Sequence, residues 1–331
     1  MKVLIIQSAF IGDVVLAVPL AEMVKQSSPG SEVHFLTMPV YGDFLSKQPS
    51  ISKVVIDDKK SGTRRLFSFL KFCMRLRKEK YDIALIIHRS FRTGLLARIT
   101  GIKRRIGFDS AEGRIFYTEK VRYQRNMHEV ERNLLLGKKA GFASWDGNWN
   151  LPYSRRPSSV VRRPGKPVII VSPFSNWGTK RWLSAHWAEL MNKLAKIGEV
   201  VAVGSGNDVS FWNEIKSGLQ TAVSDFVGRT DFPELSELIK NSDVLVTGDS
   251  APLHFASAFG VKTVVIFGPT VPEFGFGPYK QKNIVIQKEL SCRPCNIHGP
   301  RKCPLGHHDC MRKIPPGEVL AAVKKLLGLS G

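Results

Sequence analysis

The segment from Asn241 to Thr270, NSDVLVTGDSAPLHFASAFGVKTVVIFGPT, gathers the groups best suited to holding an anion. A short β-rich run, Val244 to Thr247, ends in Gly248-Asp249-Ser250, and Pro252 suits the first turn of a helix because the N–H it lacks would be unpaired there. Asp249 or Ser250 can cap that helix. Its open amides and the positive end of its dipole then face the loop, where an anion is stabilised without a metal. Gly268-Pro269-Thr270 supplies a second turn, and the whole has the character of a nucleotide diphosphate site. An ordinary strand-turn-helix crossover with a well-chosen cap would share the same sequence. His254, four positions after Ser250, falls one turn into the helix and can donate to a phosphate oxygen. Burial in a helix face is the competing role for it.

Three further turns carry candidate groups. QSAFIGD, Gln7 to Asp13, follows the first apolar run; Gly12 leaves the backbone room, and Asp13 stands at a helix start whose dipole keeps it charged. Such a carboxylate can accept a proton from a substrate hydroxyl, or can serve simply as a cap. No second acid is evident in the turn, which argues against a two-carboxylate hydrolase. SPFSNWGTKRW, after the run Val168 to Val171, offers Ser172, Ser175, Asn176 and Thr179 with Lys180 and Arg181, a composition suited to phosphate oxygens. Lys180 is assigned the diphosphate contact, and Trp182 and Trp187 are assigned to core or lid packing. Gly204-Ser205-Gly206 matches neither a Walker loop nor G-x-G-x-x-G. Thr230, just before a helix expected over Asp231 to Ile239, can line a base or sugar pocket or cap the helix.

The elements that must position these turns alternate along the chain. Val3 to Ile6, Glu32 to Thr37, Val54 to Ile56 and Ile83 to Ile87 read as strands in the first half, and Val168 to Val171, Val200 to Val203, Val244 to Val246 and Thr263 to Phe267 in the second, with helical stretches between. This rhythm predicts parallel sheets covered on both faces, an α/β fold. Pro152 to Pro167, rich in proline, arginine and serine, reads as an exposed linker. The expected division is 1–155 and 156–331, two Rossmann-like domains whose strand ends face a central cleft.

With 331 residues and 43% hydrophobic content, the chain can bury two cores of roughly 150 residues each. Its formal charge of +21 calls for an anionic partner: nucleic acid, an acidic membrane or a phosphorylated substrate. Much of this charge lies in residues 59–105, from Lys59, Lys60 and Arg64 to Arg105, with only Glu79 and Asp82 opposing it. Arg64 to Lys80 reads as an amphipathic helix whose interleaved Phe67, Leu70, Phe72, Met74 and Leu76 could rest on an anionic bilayer. The apolar start resembles a signal peptide but is broken at Gly12-Asp13, and no other run reaches a membrane span of about 20 residues. A soluble, cytoplasmic protein is expected, open to peripheral membrane contact. Cys292, Cys295, Cys303 and Cys310 form a C-x2-C-x7-C-x6-C cluster near His298, His307 and His308, with Cys73 apart. An odd total argues against a disulfide framework. Zinc would suit thiolates, but a single tight pair favours buried or loop thiols, so no metal and no cofactor is expected.

Taken in order, IGDVVLAVPL, Lys180-Arg181-Trp182, GDSAPLHFASAFGV, FGPT and CRPCN...CPLGHHDCM resemble the lipopolysaccharide heptosyltransferases of glycosyltransferase family nine across almost the full chain. The late cysteine cluster looks most like the branch adding the second heptose. The resemblance implies a GT-B architecture, with a lipid-linked lipid A-Kdo-heptose acceptor on the N-terminal side and ADP-heptose on the C-terminal side. It places the catalytic base on Asp13 and the nucleotide-sugar contacts on Ser175, Asn176, Lys180, Thr230, Asp249, Ser250, Ala251 and His254. Ala251 departs from the glycine of many relatives, and an acidic residue of some members after the Gly204 loop is replaced by Gly206 or displaced to Asp208. The implied reaction is inverting transfer on the inner face of the inner membrane, with an anionic membrane surface and no nucleic acid as partner. The first heptosyltransferase, another family-nine transferase, or a basic nucleic-acid-binding protein are the alternatives; the last lacks any recognisable module.

Overall fold

A computed structural model describes residues 1–58, 65–143, 145–154 and 165–329. Lys59, Lys60, Arg64 and the centre of the expected linker lie outside the described residues. The chain divides into two compact units, Met1–Pro152 and Tyr153–Gly331.

In the first unit the strands are β1 (Lys2–Ile6), β2 (Glu32–Thr37), β3 (Lys53–Ile56), β4 (Ile83–Ile86), β5 (Arg104–Phe108) and β6 (Glu119–Val121). They form one sheet in the order β3-β2-β1-β4-β5-β6, parallel throughout. The helices are α1 (Ile11–Ser27), α2 (Gly42–Ser46), α3 (Arg65–Arg77), α4 (Phe91–Ile99) and α5 (Glu129–Ala140). β1 and β4 are apolar along their length because a parallel strand is covered on both faces. Val3, Leu4, Ile5 and Ile6 are fully buried, and α1 is buried from Val14 to Val24. α5 covers α1 so closely that a Cβ on Gly137 would meet Leu20 Cδ1 at 2.8 Å and Met23 Sδ at 2.6 Å.

The second unit repeats the plan. Its strands are β7 (Val168–Ser172), β8 (Glu199–Gly204), β9 (Ser224–Val227), β10 (Val244–Gly248), β11 (Thr263–Ile266) and β12 (Asn283–Ile286). The sheet runs β12-β11-β10-β7-β8-β9, again all parallel. Its helices are α6 (Ser184–Leu194), α7 (Val209–Lys216), α8 (Phe232–Lys240), α9 (Ala251–Phe259), the short α10 (Asp309–Arg312) and α11 (Pro316–Leu327). Trp182 and Trp187 are core residues, edge to face at 5.1 Å in the layer between the sheet and α6 and α11. A buried aromatic pair of this kind adds roughly 1 kcal/mol to its area burial.

Each sheet has one point at which the chain reverses its direction of travel across the strands: between β1 and β4 in the first unit, between β7 and β10 in the second. Connections on either side of such a point leave in opposite directions and open a crevice beyond the carboxyl ends of the strands. The turns carrying Asp13, Lys180 and Asp249 leave from three of these four strands, β1, β7 and β10.

Candidate active site

At the second unit's switch point, the turn after β7 meets the turn after β10. Ser172 ends β7, and a single 3-10 turn, Gly178–Lys180, delivers the Lys180 side chain. Lys180 Nζ lies 2.5 Å from Asp249 Oδ2, with both side chains about nine-tenths buried. Thr270, in the turn after β11, donates its hydroxyl to the same oxygen at 2.7 Å. The turns after three adjacent parallel strands thus meet at one carboxylate, Asp249 after β10 receiving one group each from the turns after β7 and β11. The other oxygen, Asp249 Oδ1, carries neither bond.

Ser250 is the N-cap of α9, yet its side chain makes no capping bond. The Thr247 hydroxyl donates to the Ser172 carbonyl at 3.1 Å, so the Ser250 hydroxyl, 3.1 Å from Thr247 Oγ1, is the donor of that pair. The cap serine is turned onto the strand instead of onto the helix; Pro252 has no N–H and the Leu253 N–H donates to Ser250 O at 3.1 Å, so the amides that can meet a ligand are those of Ser250 and Ala251. Pro252 occupies the first turn, as its missing donor allows. Asp249, one of the two capping candidates, is committed to Lys180 and Thr270. Ala251 is half-buried at the first helical position, and His254 is buried one turn further.

The remaining nucleotide-sugar candidates lie on turns of the same sheet edge. Ser175 is buried; its hydroxyl oxygen accepts the Trp177 N–H at 3.2 Å and its carbonyl accepts Arg181 Nε at 2.8 Å. Asn176 is exposed beside it. Thr230 is half-buried between β9 and α8, two strands from β7 and so about 10 Å along the sheet from the Lys180 turn. Asp208 locks the Gly204-Ser205-Gly206 turn by accepting the Ser205 N–H at 2.9 Å and hydroxyl at 2.7 Å, and faces Arg181 Nη2 at 3.9 Å.

Sequence reading missed what holds these turns in place. Arg293, inside the cysteine-rich segment, donates to the carbonyls of Gly268 and Thr270, the latter at 2.8 Å, and so fixes the turn that brings Thr270 to Asp249. Cys295 N–H donates to Pro269 O at 2.9 Å. Thr179, next to Lys180, donates to Pro300 O, and its own carbonyl meets His308 Nε2 at 2.8 Å. The segment from Cys292 to His308 is therefore a buttress on both turns of the site. Its signal was the C-x2-C spacing, which drew attention to the sulfurs instead of the arginine between them. All five cysteines are free thiols. Burial pushes the Cys310 and Cys73 thiols up to about 11. Backbone N–H groups, that of His308 foremost, hold the Cys303 thiol below its usual range. Among the described residues no three His, Cys, Asp or Glu side chains are placed to hold a metal ion.

Asp13 stands at the first unit's switch point, half-buried at the third position of α1. Its Oδ2 accepts the N–H of the cap residue Phe10 at 3.3 Å, the reciprocal half of a capping box; a phenylalanine cannot supply the other half. The turn before it is tied to β4 by Ser8 Oγ and His88 Nδ1, 3.4 Å apart. The turn itself holds no second acid, but another element brings one. Glu129, at the start of α5, is buried and electrostatically coupled to it: burial first, opposed by Arg132, then the Asp13 charge, push the Glu129 carboxyl up to about 7. Tyr41 feels the same anion, its phenol raised by burial and then by Asp13.

The sequence profile of glycosyltransferase family 9 (heptosyltransferase) matches residues 69–304. The chain belongs to this family. Lipooligosaccharide heptosyltransferase 2 of Campylobacter jejuni is 28% identical, with 99% of this chain and 98% of the relative covered. Lipopolysaccharide heptosyltransferase 2 of Escherichia coli K12 is 26% identical, with 99% of each covered. Among solved structures, E. coli ADP-heptose lps heptosyltransferase II superposes with a TM-score of 0.81 at 24% identity, over 99% and 98% of the two chains. A family 9 glycosyltransferase from Veillonella parvula gives 0.85 at 20% identity, over 98% and 97%. The family 9 chain is thus a glycosyltransferase of GT-B architecture, and its two parallel six-stranded sheets are the two Rossmann-like halves of that fold.

Proposed function

We propose that this family 9 enzyme transfers L-glycero-D-manno-heptose from ADP-heptose to a heptosyl-Kdo2-lipid A acceptor in lipopolysaccharide core synthesis, with inversion. The carrying observation is the Lys180–Asp249–Thr270 cluster beside the uncapped start of α9, at the switch point of the second unit. Here 156–331 is the nucleotide-sugar domain and 1–155 the acceptor domain. As ADP departs, the negative charge growing on its diphosphate is met by amides and a lysine already in place, so little reorganisation is needed at the moment of reaction. This is the work a divalent ion would otherwise do. Asp249, anchored through Oδ2, keeps Oδ1 to accept from a sugar hydroxyl. Asp13 takes the proton of the acceptor hydroxyl as the anomeric carbon gains oxocarbenium character.

The acceptor reading is supported by charge and by α3. Leu66, Phe67, Leu70 and Met74 of this helix are 72%, 69%, 41% and 52% exposed, interleaved with Lys71 and Arg75 and followed by Lys78. α3, α4 and the end of β3 border an open groove of about 1210 Å³ lined by Leu66, Phe69, Phe72, Met74, Phe91 and Arg92. Apolar side chains ringed by cations suit the anionic surface of a bilayer, where lipid A is anchored. Among the described residues no helix is long and apolar enough to cross a membrane. We therefore place the enzyme peripherally on the cytoplasmic face of the inner membrane, with no role for nucleic acid.

The test is mass spectrometry of products after incubation with ADP-heptose and Kdo2-lipid A bearing zero or one heptose. Addition of one heptose to the monoheptosyl acceptor is expected. Transfer confined to the heptose-free acceptor would assign the first step instead, and no transfer to either would overturn the reading.

A further inference from the structure

The first unit holds a buried carboxylate that the mechanism above leaves unused. Glu129 opens α5, 7% exposed. Arg132 Nε lies 2.7 Å from its Oε2, and the Tyr123 hydroxyl donates to the same oxygen at 3.5 Å. The Tyr123 ring is flanked by two guanidinium groups, Arg89 at 4.5 Å and Arg132 at 4.6 Å from its centroid. Glu129 and Arg132 are buried, while Tyr123 and Arg89 are half-buried, and a buried acid and cation are costly unless they satisfy one another. A fold that needed only helix packing here could use apolar residues.

The register of α1 against α5 says what the cluster faces. Asn133 Nδ2 donates to Leu16 O at 3.1 Å, and Gly137, one turn on, abuts Leu20 and Met23. The two helices advance together, so one turn back from Asn133 and Leu16 sets Glu129 beside Gly12 and Asp13. The turn after β4 brings Arg89 to the same end of the sheet, with His88 joined to Ser8. Tyr41, after β2, flanks Asp13 on the other side.

We propose that Glu129 is a positioning residue that sets the proton affinity of Asp13, through its charge and without touching substrate. Two carboxylates this close titrate as a pair. An anionic Glu129 makes Asp13 a stronger base and offsets Arg89 and Arg132, which would otherwise draw its basicity down. This rests on Asp13 being the base.

Glu129→Gln keeps an acceptor for Arg132 and removes the charge. Because the Glu129 carboxyl, raised to about 7, is neutral in more acid solution, its charge acts on Asp13 only above that pH: kcat/KM of the unmutated enzyme is expected to rise severalfold as Glu129 ionises, and Glu129→Gln is expected to lose that rise. A purely structural role would lower the melting temperature and leave the shape of the pH profile unchanged, and an unchanged profile in a folded Glu129→Gln protein overturns the proposal. Should that variant fail to fold, reciprocity gives a second reading: in Asp13→Asn the Glu129 carboxyl, followed by carbon-13 NMR, should titrate lower than in the unmutated protein. Identical titration overturns the proposal equally. Full transfer by Asp13→Asn would sink the base assignment itself. Loss of transfer there, with an unmoved Glu129→Gln profile, sinks this inference alone.

Discussion

Lys180 Nζ and Asp249 Oδ2 stand 2.5 Å apart across the switch point of the second sheet, joining the turns after β7 and β10 into one charged pair. The pair leaves the site close to neutral without ligand. A diphosphate arriving at the start of α9 tips that balance, since Lys180 can then serve Asp249 and a phosphate oxygen together.

Lys180→Met removes the cation and leaves Asp249 buried with Thr270 alone. ADP affinity, read by calorimetry, should fall tenfold or more, equivalent to about 1.4 kcal/mol. The melting temperature should fall as well, because a buried charge loses its mate. Unaltered ADP affinity would remove Lys180 from the donor site.

Arg293→Lys keeps the charge but loses the planar fork that serves several carbonyls at once. Weaker ADP binding is expected although Arg293 touches no proposed ligand atom, because the turn carrying Thr270 is no longer fixed. The cost in stability should be about 1–3 kcal/mol, from carbonyls left without donors. Denaturant unfolding together with calorimetry checks both.

Glu22, on α1, is 7% exposed and accepts from Gln48 Nε2 at 2.6 Å; burial pushes its carboxyl from the ordinary 4.5 up to about 7. The folded state holds this proton more tightly than the unfolded chain does. Its contribution to stability is therefore complete below about pH 4.5 and is lost as pH rises through 7. That gap corresponds to a loss of up to about 3 kcal/mol. Glu22→Gln should flatten much of the decline between pH 5 and about 8 in denaturant titrations. Glu129, raised in the same sense, should account for part of the slope that remains.

Leu70→Asp with Met74→Asp places two anions on the exposed face of α3. Binding to vesicles containing anionic phospholipid, measured by co-sedimentation, should drop severalfold, with only a small fall in melting temperature because both side chains are about half in solvent. Equal binding by the double variant would move the membrane contact elsewhere.

Much of this was legible in the chain. The strands read directly were those with continuous apolar runs, and they include the four that bound the switch points. β5, β6, β9 and β12 were not read, because they are short and carry charged or polar residues such as Arg104, Glu119, Asp225 and Asn283. Three of these four are edge strands, where one side is unpaired and hydrophobic continuity is not required. Asp13, Lys180, Asp249 and Ser250 were legible because turn chemistry at strand ends is local. The partnership of Lys180 with Asp249, the clamp by Arg293 and the nearness of Glu129 to Asp13 were not, since each joins residues at least 23 positions apart in sequence through the packing of different elements.

Asp13→Asn tests the central assignment most directly, because it removes the basic charge with almost no change of shape. Single-turnover transfer from ADP-heptose to the monoheptosyl acceptor should collapse by a factor on the order of 100 or more, while the calorimetric affinity for ADP-heptose stays at that of the unmutated enzyme. Transfer at an undiminished rate, or a loss of donor binding equal to the loss of transfer, would contradict Asp13 as the base.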